Sequence, residues 1–126
     1  MKKKTAEKIY IFGTGGLSRV ACSIINSNKN YTIAGFIEQK PKKVLNKKIY
    51  SLDFFLKNFK HLNVVLAIGE NITRKKIYEK LKNKNFSFPN IISNYANIAD
   101  GTKIGHGNII MPNTFINTNS KIGNFC

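Results

Sequence analysis

Residues 92–126, ISNYANIADGTKIGHGNIIMPNTFINTNSKIGNFC, place isoleucine at 92, 98, 104, 110, 116 and 122. No helix or flat strand repeats every six residues, because their side-chain periods are about 3.6 and 2. Hexapeptide periodicity is the mark of a parallel β-helix. Each six-residue side of a triangular coil turns one branched aliphatic inward, onto its equivalent in the next coil. Four residues after each isoleucine stand Ala96, Thr102, Asn108, Thr114, Ser120 and Cys126. All are narrow, and they are expected to let the chain turn its corners. The segment makes about two coils, fewer than the roughly three units that repeat folds generally need. It is therefore expected to be marginally stable, with fast amide exchange beyond about Ile104 in a monomer.

Upstream the pattern is different. Residues 8–12 form a short β-rich run that leads straight into glycines, and apolar residues at Leu17, Val20, Ala21, Ile24 and Ile25 follow at helical spacing. Tyr31 to Glu38 reads as a second strand, with Glu38-Gln39-Lys40-Pro41 at its end. Ser51 is placed to cap a short helix carrying Leu52, Phe54, Phe55 and Phe59. Residues 63–68, NVVLAI, are a near-continuous apolar run of the kind buried on both faces of a sheet. Gly69-Glu70-Asn71 then opens an amphipathic helix through Lys82, with Ile77 and Leu81 inward and Asn71 placed as its cap or as a ligand contact. Residues 86–92 are expected to add a fourth strand. Strands alternating with helices predict an α/β fold, a small Rossmann-like parallel sheet followed by the start of a left-handed parallel β-helix. The expected division is 1–91 and 92–126.

Composition limits the function classes. Lys and Arg number 21 against 6 Asp and Glu, a formal charge of +15, which attracts polyanions. All but two of the 21 are Lys, spread from Lys2 to Lys121, and no arginine-rich strip, RNP-like pattern or zinc knuckle accompanies them. A nucleic-acid partner is set aside on that ground. Residues 1–5 resemble the charged start of a signal peptide, but the apolar run after them stops at Phe12. No run reaches the length of a membrane span. Cys22 and Cys126 form no CxxC motif, and a reduced cytoplasm is expected.

The glycine turn Gly13-Thr14-Gly15-Gly16-Leu17-Ser18 stands between a strand and a helix. Its backbone N–H groups can approach a phosphate, with the helix start supplying partial positive charge. The pattern is G-x-G-x-x-S, without the third glycine of the dinucleotide fingerprint, and a ligand-free tight turn is the alternative. Glu38, at the end of the second strand, is placed either to accept hydrogen bonds from a ribose or as a surface residue. Gly69-Glu70-Asn71 repeats the strand-to-helix turn. Arg74 reads as a phosphate contact or as a solvated helix residue. His61 looks like surface, and His106, at a non-core hexapeptide position, favours structure over catalysis. No Ser-His-Asp set, paired carboxylates or metal-ligand cluster can be assembled.

IYIFGTGGLSRV, AIGENITRKKIYEK and the repeats from Ile92 resemble the sialic-acid and bacillosamine type of sugar acetyltransferases, over nearly the whole chain. The resemblance implies a sugar-nucleotide domain, typically for a UDP-linked amino sugar, before a left-handed β-helix. That helix would trimerise and bind acetyl-CoA between subunits. It also implies that Gly13, Thr14, Gly15, Gly16, Glu38, Gly69, Asn71 and Arg74 line the sugar-nucleotide site. Family members often read G-G-H-G or G-G-H-A at the first turn, whereas Leu17-Ser18 follows the glycines here. The family's general-base histidine is expected beyond Cys126, where neither His61 nor His106 matches it. His106 is only a weak substitute, and the 126 residues alone are expected to be inactive. A sugar-nucleotide-binding module without catalysis and an NAD-binding protein are the alternative classes.

Overall fold

The computed structural model describes residues 6–40 and 48–126. The charged start at 1–5 and the expected strand end at Pro41 lie outside them. β1 (Glu7–Phe12) runs at the centre of a parallel sheet, between β2 (Tyr31–Glu38) and β4 (Asn63–Leu66). β3 (Ile49–Ser51) pairs with the outer side of β2, so the order is β3-β2-β1-β4. Among the described residues three α-helices cover it: α1 (Gly16–Asn28), α2 (Leu52–Asn58) and α3 (Asn71–Leu81).

Period-2 alternation sends neighbouring residues to opposite faces. Ile9 and Ile11 pack with Ala21, Ile24 and Ile25 of α1, whereas Tyr10 and Phe12 pack with Phe55 of α2 and Ile77 and Leu81 of α3. β4 divides the same way, Val64 and Leu66 to one face and Val65 to the other, so the apolar run is buried on both sides. Ser51 caps α2 as expected, its Oγ accepting from Phe54 N at 3.2 Å.

The sheet's fourth strand is not 86–92. Ser87 makes a single parallel bridge to Asn63, and the strand that completes the sheet is Ile49–Ser51. Three residues are too few to show a period. Asn71 does not cap α3 either. Glu70 holds the N-cap position, with no side-chain cap bond, and Asn71 is the first helical residue.

From Ile91 the chain coils. β5 (Ile91–Ile92), β6 (Asn97–Ile98), β7 (Lys103–Ile104), β8 (Ile109–Ile110), β9 (Phe115–Ile116) and β10 (Lys121–Ile122) pair in parallel as β5 with β8, β6 with β9 and β7 with β10. The isoleucines stack as their period requires: Ile92 on Ile110, Ile98 on Ile116, Ile104 on Ile122. None of the six is exposed. The corners depart from expectation. From Ile98 on, the left-handed residue is the third after each isoleucine, Gly101, Gly107, Asn113, Asn119 and Phe125, with φ between 55° and 77°. Glycine and asparagine tolerate that conformation best. The narrow residue comes one step later.

One corner carries an asparagine ladder. Asn90 donates from Nδ2 to Gly105 O and accepts from Asn108 N, at 2.7 and 2.9 Å. Asn108, fully buried, repeats both bonds one coil on, to Gly123 O at 2.8 Å and from Cys126 N at 2.6 Å. Two contacts fasten the coil to the sheet. Asn28 Nδ2 of α1 donates to Ile92 O at 2.6 Å, and the Phe125 ring packs on Tyr78 of α3 and on Phe88 at 4.8 and 5.4 Å.

Candidate functional site

The carboxyl ends of β1, β2 and β4 meet where the strand order reverses, the place where open α/β sheets bind ligands. The chain leaves β1 through Gly13, at φ +114°, whose N–H donates to Ile37 O at 2.9 Å. A Cβ at Gly13 would lie 2.7 Å from Ala67 O, so any side chain would wedge β1 away from β4. Gly15 is the N-cap of α1 and offers no side-chain cap, and the first turn holds no acidic residue. Gly15 and Gly16 are exposed, and a Cβ at Gly15 would meet nothing within 4 Å. An open helix start with unpaired N–H groups and partial positive charge is suited to an anion.

The pinning of Gly13 carries Thr14 to the end of β2. There Thr14 Oγ1 donates to Glu38 Oε1 at 2.7 Å, and both residues are half-buried. On the β4 side the turn is knitted by its own side chains. Thr73 Oγ1 donates to Glu70 Oε2 at 2.8 Å, and Arg74 donates to Ile68 O at 2.8 Å and to Asn71 Oδ1 at 2.6 Å. Arg74 is thus not a freely solvated helix residue. Its guanidinium braces the turn and lines two small cavities.

One cavity, about 160 Å³, is walled by Asn71, Arg74, Lys75, Tyr78, Asn124 and Phe125. The other, about 80 Å³, lies between Leu17 of the glycine turn, Leu66 at the end of β4, Arg74, and coil residues Gly107, Ile109, Phe125 and Cys126. Glycine turn and coil corner therefore share one wall. Leu17, Phe125 and Cys126 were not among the site residues expected from sequence. Leu17 carried a signal, since it stands where the resembling family has histidine. Phe125 carried none.

Neither histidine lines either of these two cavities. His61 is exposed, at φ 59°, in the turn before β4, the opposite end of that strand from Gly69. His106 is exposed on a coil corner, its ring edge-on to Phe125 at 5.3 Å. Its backbone N donates to Asn124 Oδ1 at 2.9 Å, a bond that stacks one coil on the next. Among the described residues no helix is long and apolar enough to cross a membrane.

A Rossmann-like sheet with an open glycine turn, running into stacked hexapeptide coils, places the chain among β-helix proteins that carry an α/β domain in front. The chain belongs to the PglD N-terminal domain family, whose model matches residues 8–81. It is similar to the solved structure of a histidine-to-asparagine mutant of perosamine N-acetyltransferase from Caulobacter crescentus in complex with CoA and GDP-perosamine. That likeness is 26% identical at a TM-score of 0.82, over 94% of this chain and 58% of the other. The acetyltransferase domain of PglB from Neisseria gonorrhoeae FA1090, in complex with acetyl coenzyme A, shares the fold. There the TM-score is 0.80 at 18% identity, over 95% of this chain and 60% of that one. The chain thus spans under two-thirds of the length of the solved chains it matches.

Proposed function

We propose that this chain is the sugar-nucleotide-binding front of an acetyl-CoA-dependent acetyltransferase of nucleotide-sugar biosynthesis. Residues 1–91 form the binding unit, and 92–126 open the coil against which the sugar is presented. The observation that carries the reading is the shared wall, where Leu17 of the glycine turn and Leu66 of β4 line one cavity with Gly107, Ile109 and Phe125 of the coil. A diphosphate on the N–H groups of Gly15 and Gly16 puts its nucleoside toward Glu38 and its sugar toward that wall. Gly13, Thr14, Gly69, Asn71 and Arg74 shape the crevice. The similar perosamine N-acetyltransferase, in complex with CoA and GDP-perosamine, supports a sugar nucleotide and a thioester donor as the pair of substrates.

Acetyl-CoA would supply the electrophilic thioester carbonyl. Attack on it by a sugar amine or hydroxyl needs a base for the departing proton, typically worth ~10²–10⁴-fold. His106 is committed by its backbone to stacking and by its ring to Phe125, and we assign it a structural role. On this reading the described residues bind and orient the sugar nucleotide. A homotrimer would cover large apolar side chains that the coil leaves exposed, Tyr95 at 74%, Phe115 at 65% and Met111 at 42%.

Calorimetric titration with UDP- and GDP-linked amino sugars, with NAD as control, tests the reading, followed by an assay for thiol release from acetyl-CoA. Sugar-nucleotide binding without turnover is expected. Steady turnover by these 126 residues would make His106 the leading base, and tight NAD binding with no sugar-nucleotide binding would sink the proposal.

A further inference from the structure

The turn holds a contact that the strand-to-helix motif does not require. Gly13 is fixed between β2 and β4 by its bond to Ile37 O and its closeness to Ala67 O. The next residue is therefore delivered to Glu38 with little freedom. The residue there is Thr14, and its hydroxyl lies 2.7 Å from Glu38 Oε1. An ionised carboxylate only accepts hydrogen bonds, so the hydroxyl donates. Among the described residues Thr14 is the only side chain bonded to that carboxylate. Among the described residues none bonds Oε2, which keeps its lone pairs.

We propose that Thr14 is a positioning residue, which locks the Glu38 carboxylate so that Oε2 accepts from the ribose hydroxyls of a bound nucleoside diphosphate. The proposal rests on the sugar-nucleotide reading above and adds what selects the ribose. A free glutamate has three side-chain torsions and must be ordered when a ligand arrives. Here the bond to Thr14 orders it beforehand, so ligand binding forfeits less rotamer entropy. The same carboxylate rejects a ribose carrying a phosphate, because two anions would meet at one point. Thr14 touches no ligand in this scheme. It acts through Glu38 alone, which makes its effect conditional on the ribose hydroxyls.

That condition is the test. Affinities of the full 126-residue chain are measured by calorimetry for UDP and GDP and for their 2′,3′-dideoxy forms. Unsubstituted protein, Thr14→Val, Thr14→Ser and Glu38→Gln are compared. Thr14→Val is expected to weaken the ribose forms roughly tenfold, the scale of one net hydrogen bond, and to leave the dideoxy forms within about twofold. Thr14→Ser, which keeps the hydroxyl, is expected to restore ribose binding. Equal weakening of ribose and dideoxy ligands by Thr14→Val would make the threonine structural and overturn the proposal. So would failure of serine to rescue. If the unsubstituted protein binds ribose and dideoxy forms alike and Glu38→Gln changes neither, the proposal falls while sugar-nucleotide binding stands. If no nucleoside diphosphate binds, the wider reading falls with it.

Discussion

The sheet and the coil bury their apolar residues by different means. In the sheet and the helices packed on it, Ile9, Ile11, Ile37, Val64, Phe55, Ile77 and Leu81 are all 0% exposed. In the coil, only Ile110 and Ile116 of the six stacked isoleucines fall below a tenth exposed, at 6% and 8%. Helices on both faces close the sheet's core, whereas a coil's interior is closed only by the coil above and the coil below. A sheet of this kind tolerates loss at its edges. A coil of two turns has little besides edges, and its stability depends on what it leans against.

The largest expected effect separates the two. Phe55 stacks on Phe59 and Phe86 at 4.9 and 5.2 Å and meets Tyr10 edge-on at 5.3 Å. Phe55→Ala should cost about 3–5 kcal/mol of global stability, measured by urea denaturation. Ile116→Ala in the coil should move the main transition far less and instead speed amide exchange around 98 and 116. A coil substitution that lowers the whole transition as much as Phe55→Ala would erase the distinction drawn between the two regions.

Phe125 is where the regions join, and there two effects oppose each other. Its φ of 55° costs a bulky residue about 1–2 kcal/mol. Its ring lies against Tyr78, Phe88 and His106, and truncating a buried Phe costs about 3–5 kcal/mol, less for a half-buried one. Packing should win. Phe125→Asn, which matches Asn113 and Asn119 at the equivalent corners, should destabilise the second coil by about 1–3 kcal/mol, read as faster exchange at 121–126. A stabilised coil in that variant would mean that strain dominates.

Much of this was legible in advance. Six isoleucines at one spacing announce the coil because a hexapeptide side has one inward position. The run 63–68 announces a buried strand because no polar face interrupts it. The Thr14–Glu38 bond was not legible, because it depends on a glycine torsion and on strand register. Nor was the Phe125 contact, since nothing local says that a coil corner will rest on α3. The ladder did leave a trace, in asparagines at 90 and 108. Asn108→Ala should strand Gly123 O and Cys126 N, costing about 1–2 kcal/mol, and amide exchange at 121–126 should show the loss while the sheet stays protected.

The smallest effect concerns alkaline pH and sits in the sheet. Burial pushes the Tyr10 phenol above its ordinary value, the neighbouring Tyr50 adds to the rise, and Lys48 opposes it. Tyr31 is also raised, by burial and then by Glu7. A raised folded-state pKa means that folding favours the protonated phenol. That contribution is complete below the unfolded value near 10 and is lost as pH climbs through the folded one, because the unfolded chain then releases the proton more readily. Tyr10→Phe removes the titration yet keeps the ring between Phe55 and Phe59, at 5.3 and 5.4 Å. Near neutral pH the variant should match the unsubstituted protein within about 0.5 kcal/mol. Above about pH 10 it should unfold less readily, with Tyr31 leaving a residual slope in both proteins. Urea midpoints measured at pH 7, 9.5 and 10.5 decide the matter. Parallel midpoints for the two proteins across that range would show that Tyr10 titrates as freely as in the unfolded chain, and that the sheet's closed core does not extend to its hydroxyl.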